Sequence, residues 1–580
     1  MELRDRINWS FTVLLEFGKD IMVQNLNWWH NKVIYQVYPR SFYDSNGDGI
    51  GDLRGIIEKV NHIVDLGVDI VWISPFFQSP QKDFGYDVTS YLDVAEEYGT
   101  LNDLYELIDL IHSKGLKVMF DLVLNHTSDQ HPWFIEARKS KDNPKADWYF
   151  FADGKGADGK KVPNNWRSDL QIKSGWQWCN ERNQFYFATF LPFQPDLNWR
   201  NEELRNEMFS MIQHWLKKGV DGFRLDIFGA IMKDKNLTPN QINPSLFDTS
   251  GPHLIDKKYT ANTEDNFELA RDLRAKCDEI NPESILIGEV FAPVNVLKNY
   301  LGKDPISKKD QTTEGNSDRY FKFPGLNLVF LFDFLAFRYS AEFFRKKIQK
   351  YELKFPHPLQ PTYVFENHDR ARLMGRVNNN IQKAKNLALL QLTLRGVVTV
   401  YQGQEIAMEN TYIPLKKALD PIAGKYFYWI PEPINKLIKE RLNRDEVRTP
   451  MQWDDTKNAG FSSSDTTWLP VNTNYKTTNV KVETDVPDSV LNLYKKLLQV
   501  RKTNSAFKGS LEIVNCDQKD ILMYQRESKD QKILVCLNFS NEIKEVNYEV
   551  KEILFSNHEL NTAEAKCLKL QPNSGVICVV

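Results

Sequence analysis

Short apolar, β-branched runs recur along this chain, each followed by a stretch whose apolar residues fall at helical spacing. The runs are Val33 to Tyr38, Val68 to Ile73, Lys117 to Leu124, Val220 to Ile227, Ser284 to Val290, Pro361 to Phe365 and Val397 to Tyr401. Between them lie segments such as Leu101 to Lys114 and Leu204 to Lys218, apolar at helical intervals. Strand–helix alternation of this kind demands a parallel sheet covered on both faces, and about eight repeats close it into a barrel. The rhythm breaks once, between Asn125 and Trp199, in a stretch rich in Asp, Asn, Gly, Lys and Trp with no clear helix. That is too long for a loop and reads as an inserted subdomain. After about Val486 a helical segment, Ser489 to Lys502, leads into short alternating runs at Ile521 to Gln525, Lys532 to Phe539 and Gly575 to Val580, the pattern of antiparallel strands. The expected fold class is therefore α/β: a (β/α)8 TIM barrel, a subdomain inserted after the third strand, and a C-terminal all-β sandwich domain. The expected divisions are an N-terminal extension at 1–27, the barrel at 28–126 and 199–486, the insertion at 127–198, and a linking helix with the β domain at 487–580.

Composition excludes several functions. With 77 acidic and 74 basic side chains the net charge is −3, and no basic block stands out. Neither nucleic acid nor an anionic membrane is an expected partner. No stretch approaches the roughly 18 uncharged apolar residues of a membrane span; the richest run, Leu326 to Phe337, is interrupted by Asp333. The six cysteines form no CxxC and are too few for a disulfide scaffold, so they read as reduced core thiols. The first 21 residues carry a short apolar run, Trp9 to Phe17, without the positive start or small-residue cleavage site of a signal peptide, and Met22 is an alternative start. A cytoplasmic location is the expectation.

Acidic residues cluster at the C-terminal ends of the expected strands, where barrel enzymes place their chemistry. Asp121 and His126 close Asp-Leu-Val-Leu-Asn-His; Asp226 closes Gly-Phe-Arg-Leu-Asp, with Arg224 two residues earlier on the same strand face; Glu289 ends Ile-Leu-Ile-Gly-Glu-Val; and Asp369 follows His368 in Phe-Glu-Asn-His-Asp. Any one of these is readily a strand-end cap. Four at the same end of successive strands point to a site.

These four segments resemble the signature regions of the α-amylase family, glycoside hydrolase family 13. Gln194-Pro-Asp-Leu-Asn198 is similar to the fifth region of its oligo-1,6-glucosidase and α-glucosidase branch, as are Arg448-Thr-Pro-Met-Gln-Trp-Asp454 and Asn458-Ala-Gly-Phe461. The resemblance runs from Trp28 to about Phe461 and more weakly through the tail. It implies a retaining, exo-acting α-glucosidase that cleaves α-1,4 or α-1,6 bonds at the non-reducing end of short oligosaccharides such as maltose and isomaltose, with sucrose a further candidate. Retaining glycosidases need two carboxyl groups about 5 Å apart. By carry-over Asp226 is the nucleophile and Glu289 the acid and then base; Glu289 needs a raised pKa, while Arg224 keeps Asp226 ionised. Asp369 would bind sugar hydroxyls more tightly in the transition state. His126 and His368 match sugar-hydroxyl contacts, Asp83, Tyr86 and Arg444 match residues that grip the non-reducing glucose, and Phe190 matches an aromatic from the insertion.

Asp44-Ser-Asn46-Gly-Asp48-Gly-Ile50-Gly-Asp52 reproduces the oxygen donors and Gly49 of an EF-hand loop, but Gly55 stands where the bidentate glutamate belongs. It resembles instead the family's metal loop after the first strand, which implies structural calcium, or magnesium, held by Asp44, Asn46, Asp48, Ile50 and Asp52. No organic cofactor is expected.

Four departures bear on specificity. In the resembling branch a valine after the nucleophile accompanies α-1,6 cleavage and alanine or threonine α-1,4 preference, and Ile227, bulky and β-branched like valine, by that resemblance implies α-1,6 or mixed use; Leu170 stands where the branch usually has phenylalanine; Gln404 stands where it commonly has glutamate and would reduce charge near the leaving-group site; and Thr411 to Asn443 is long enough to alter the pocket mouth. A same-clan transglycosylase or isomerase, of sucrose isomerase or trehalose synthase type, shares the catalytic residues and stays open as the alternative. A catalytically dead, membrane-associated barrel needs a span and usually a broken triad, and the sequence offers neither.

Overall fold

The computed structural model describes residues 26–170, 173–243, 247–248, 251–252, 255–302, 324–437, 442–558 and 567–580. The N-terminal extension up to residue 25 lies outside them.

Eight parallel strands close a barrel: β1 (Val33–Val37), β2 (Ile70–Ile73), β3 (Lys117–Val123), β4 (Gly222–Asp226), β5 (Ile285–Gly288), β6 (Leu328–Leu331), β7 (Thr362–Val364) and β8 (Val397–Tyr401). Neighbours in sequence are neighbours in space, and β8 returns to β1 through pairs such as Tyr35 with Val400. Seven of the strands are buried along their whole length, and β3 is buried from Val118 onward. That is why they read as continuous β-branched runs rather than alternating ones. The unforeseen strand is β6. It lies within Leu326 to Phe337, the run weighed above only as a membrane span, and Asp333 falls just past its end.

A helix follows each strand: α1 (Leu53–Leu66), α2 (Leu101–Ser113), α3 (Glu202–Lys217), α4 (Glu264–Asp278), α5 (Val294–Tyr300), α6 (Ala341–Lys354), α7 (Ile381–Thr393) and α8 (Val490–Thr503). Six of the eight starts are set by side-chain caps: Asp52, the reciprocal Thr100–Asp103 box, Asn201, Ser340, Asn380 and Ser489. The segment expected as a linker, α8, packs against α1 and α7 and so also completes the ring of helices.

The insertion holds a three-stranded antiparallel sheet, Phe151–Ala152, Gln184–Phe187 and Trp176–Cys179, over a core of Phe150, Trp166, Trp176, Phe185 and Phe187. Against expectation it also contains one short helix, Pro132–Ala137, with Pro132 in its first turn. Beyond α8, five strands in the order Ser510–Val514, Ile521–Glu527, Lys532–Asn538, Gly575–Val579 and Glu552–Ser556 pair antiparallel, with a second sheet of Lys544–Asn547 and Cys567–Leu570. Alternate residues separate two cores. Ile521, Met523, Leu534 and Cys536 face Val546 and Leu568 of the second sheet, whereas Leu522, Tyr524, Ile533 and Val535 join the core of the barrel. All six cysteines are free thiols. Among the described residues no helix is long and apolar enough to cross a membrane.

Candidate active site

Strand register builds the centre of the site. In the parallel ladder Asp121 of β3 lies beside Arg224 of β4, and Arg224 beside Ile287 of β5. Asp226 and Glu289 lie two positions further along their chains, so all four polar side chains point the same way at the C-terminal end of the barrel. Arg224 is the hub. Its Nη1 donates to Asp121 Oδ1 at 2.8 Å and Asp226 Oδ1 at 2.7 Å, and its Nη2 donates to Glu289 Oε2 at 2.6 Å. The Ile227 amide donates to the same Glu289 oxygen at 3.1 Å.

One guanidinium therefore serves three buried carboxyls, which would carry a net charge of two negatives if all were ionised. Burial pushes the Asp226 carboxyl well up, Arg224 opposes this, and Glu289 and Asp121 add to it. Asp121 is likewise pushed up by burial, to about 6, against the pull of Arg224. Arg224 pairs with Asp226 as expected, but it opposes without cancelling the upward push of burial and of the neighbouring carboxyls on Asp226.

Asp369 has the opposite environment. Burial would raise its pKa, but the Arg448 and Arg444 cations outweigh burial and hold the carboxyl well below its usual range. Arg448 Nη2 donates to Asp369 Oδ1, and Arg444 Nη1 lies 3.6 Å from that oxygen. His368 is pushed down to about 3, by burial first, so its ring is neutral. Gln36 Nε2 lies 2.8 Å from Nδ1 and donates to it, which leaves the hydrogen on Nε2 for the Tyr86 hydroxyl at 2.6 Å; Tyr86 passes its own hydrogen to Asp121 Oδ2 at 3.3 Å. The His368 and Tyr86 rings stack, 5.5 Å apart.

A cavity of about 680 Å³ opens over these groups, within the usual range for small-ligand sites. Its wall includes Asp83, Tyr86, His126, Phe190, Asp226, Glu289, Asp369 and Arg444, so eight of the ten sequence-derived catalytic and substrate residues line one space; Arg224 and His368 lie behind them. His126 is buried with both ring nitrogens engaged, Nε2 on the Tyr86 carbonyl at 2.9 Å and Nδ1 on Asn125 at 3.1 Å, and its ring packs 5.5 Å from Phe190. Asp83 accepts from Arg444 Nη2 at 2.7 Å and Gln194 Nε2 at 2.9 Å.

Of the specificity departures, Ile227 and Leu170 line the cavity, and the long segment before Arg444 supplies Asp420, Ile422, Phe427 and Leu442. Ile227 adopts a left-handed backbone, φ 42°, which costs a β-branched residue on the order of 1–2 kcal/mol. Gln404 is a correction. It sits behind β8, donating to Gln391 Oε1 at 2.7 Å and the Tyr494 hydroxyl at 3.0 Å, and is absent from the cavity wall. Sequence reading placed Asp121 in the strand-end cluster without a specific role, and gave no role to Asp420, Gln194 or Arg448. Asp121, Gln194 and Arg448 lay in recognised motifs and were within reach; Asp420 lay in none.

In the Asp44–Asp52 loop the oxygens accept from nearby N–H and O–H donors. Asp44 Oδ1 takes Gly47 N and Oδ2 takes Gly49 N, both at 2.8 Å, and Asp48 Oδ1 takes Ile50 N at 2.7 Å. Asp52 is committed to the N-terminus of α1 through Gly55 N at 2.7 Å and to Ser45 N at 2.9 Å. Among the described residues no three His, Cys, Asp or Glu side chains gather as a metal site. The donor set is nevertheless all oxygen, the type that suits calcium or magnesium.

Residues 36–510 match the family model described as alpha amylase, catalytic domain. The chain is 36% identical to an oligo-1,6-glucosidase of Parageobacillus thermoglucosidasius over 94% of its own length and 97% of the relative's. It is 37% identical to a probable alpha-glucosidase of Rhizobium meliloti (strain 1021), over 91% and 92%. Its fold is similar to that of the crystal structure of a trehalulose synthase from Pseudomonas mesoacidophila MX-45, with TM-score 0.83, 32% identity, and coverage of 95% of this chain and 99% of the other.

Proposed function

The chain belongs to the α-amylase family, glycoside hydrolase family 13, and on that premise we propose that it is a retaining, exo-acting α-glucosidase of short α-1,4- or α-1,6-linked oligosaccharides. The observation that carries the reading is the bridge from Arg224 to both Asp226 and Glu289 in the floor of the cavity. Two nitrogens of one planar group hold an oxygen of each carboxyl. This supports the short separation of retaining enzymes over the roughly 6.5–9.5 Å that leaves room for water in inverting ones.

In this reading Asp226 attacks the anomeric carbon and forms a glucosyl ester while Glu289 gives its proton to the departing oxygen. Glu289 then takes a proton from the water that breaks the ester, and the configuration is retained. The step requires a proton on Glu289 and an ionised Asp226, and the Arg224 cation bonded to Asp226 favours the ionised nucleophile. Asp369, held anionic by its arginines, takes hydroxyls of the reacting sugar, and His368 behind it orients the Tyr86 hydroxyl. Asp83 and Arg444 grip its far end, with Tyr86, His126 and Phe190 forming the wall.

The alternative is isomerisation or glucosyl transfer with the same residues, a reading the trehalulose synthase similarity supports. Incubation with maltose, isomaltose, sucrose, trehalose and soluble starch, with Asp226→Ala as control, separates the two. Free glucose from maltose or isomaltose is expected. Rearranged disaccharide without free glucose would favour the isomerase, and cleavage of starch into long oligosaccharides would contradict exo action.

A calcium or magnesium ion on Asp44, Asn46, Asp48, the Ile50 carbonyl and Asp52 is proposed as a structural element. It would brace the β1–α1 connection and supply no chemistry.

A further inference from the structure

The long segment before Arg444 ends in a reciprocal clasp. Asp420, 1% exposed, accepts from Arg444 Nε at 3.1 Å and the Arg444 amide at 2.9 Å on Oδ2, and from Arg444 Nη2 at 2.9 Å and the Ile422 amide at 3.0 Å on Oδ1. Asp445 answers from the other side: its Oδ2 accepts from the Leu419 amide at 2.7 Å and the Asp420 amide at 3.0 Å. Two adjacent dipeptides, Leu419–Asp420 and Arg444–Asp445, thus hold each other's side chains and backbone, and the chain between them places Ile422 and Phe427 in the cavity wall.

The clasp fixes the plane of the Arg444 guanidinium, since a carboxylate that meets Nε and Nη2 together leaves a planar fork little freedom. In that orientation Nη2 also reaches Asp83, and Nη1 points towards Asp369 at 3.6 Å. Asp369 already accepts from Arg448, and Asp83 from Gln194. Without Asp420, the Arg444 cation would be held only by these two pocket carboxylates, whose remaining lone pairs are the groups offered to the sugar.

We propose that Asp420 is a positioning residue for substrate binding, which holds Arg444 in place and keeps its cation from resting on Asp83 and Asp369 alone. The inference rests on the α-glucosidase reading of the pocket. It is tested with Asp420→Ala, Arg444→Ala and the double variant, by steady-state kinetics on p-nitrophenyl α-glucoside and by calorimetric titration with glucose. Asp420→Ala raises KM about tenfold or more, changes kcat less, and weakens glucose binding by a similar factor. The double variant is no worse than Arg444→Ala, because Asp420 acts through that side chain. Asp420→Asn keeps the volume and loses the charge, and should show the same raised KM should the alanine variant fail to fold. A KM within twofold of wild type in a folded Asp420 variant overturns the proposal, as do single-variant effects that multiply in the double variant. A wild-type protein that releases no glucose contradicts the glucosidase reading instead, and the glucose titrations then decide the role of Asp420 without turnover.

Discussion

At the scale of single residues, the division of charge inside the pocket determines what substitutions do. Asp226→Asn or Glu289→Gln removes a group that must change its bonding in the reaction, so a loss of kcat on the order of 10⁴-fold or more is expected in steady-state assays, with the fold intact by circular dichroism. Asp369→Asn has a distinct pH signature. The depressed pKa of Asp369 contributes stability that is fully present above its ordinary value of 3.8 and is lost as pH falls below it. Urea titrations should show the variant less stable than wild type at neutral pH, with the gap closing below about pH 4. Asp121 runs the other way: held up to about 6, it retains a proton that the unfolded chain releases near 3.8, so its contribution worsens as pH rises through that window. A gap that stayed constant down to pH 2 for Asp369→Asn would count against the arginine pairing. The catalytic carboxyls were legible in the sequence because each ends a strand inside a compact motif. Asp420 was not, because its meaning depends on Arg444 and on a partner 361 positions from that arginine, Asp83.

At the scale of elements, one buried ion pair fastens the insertion to the loop after β4. Lys233 Nζ, fully buried, lies 2.8 Å from Asp196 Oδ2 and donates to Asn125 Oδ1 at 2.9 Å and to the Ala230 carbonyl. Asp196 in turn accepts from the Thr189 amide at 2.9 Å and Asn125 Nδ2 at 3.2 Å. Lys233→Met would leave Asp196 buried without its cation, at a cost of about 3–5 kcal/mol. Pairing it with Asp196→Leu should recover part of that loss, and urea midpoints for the three variants check both statements. The Asp44–Asp52 loop makes a second prediction at this scale: chelator should lower the melting temperature and leave the pH profile of kcat unchanged, while free calcium at about 100 times its Kd adds about 2.7 kcal/mol. An unchanged melting temperature would exclude the ion. Seven strands were readable as elements because a sheet buried on both faces leaves uninterrupted apolar runs. The eighth, β6, shared its run with the turn that follows, and periodicity does not separate the two.

For the whole molecule, the barrel and the C-terminal domain share one core. Arg526, 0% exposed, donates to the carbonyl of Thr393 at the end of α7 at 2.8 Å and to those of Phe507 and Gly509, while Arg501 of α8 donates to Leu392 and Leu394. Deleting 510–580 would bare Leu522, Tyr524, Ile533 and Val535's partners in the barrel core, so the truncated chain should aggregate or melt well below the full one rather than behave as an independent enzyme. The division into barrel, insertion and β domain was legible from changes in periodicity. The depth of their contact was not, since strands buried on both faces show no sign of which face meets the barrel.

The central claim, that Asp226 and Glu289 work as a retaining pair around Arg224, is tested most directly by proton NMR of the anomeric signals in the first moments of p-nitrophenyl α-glucoside hydrolysis, in which all the glucose comes from the cleaved bond. The account predicts that α-glucose appears first and β-glucose only later by mutarotation. Initial release of β-glucose would contradict it.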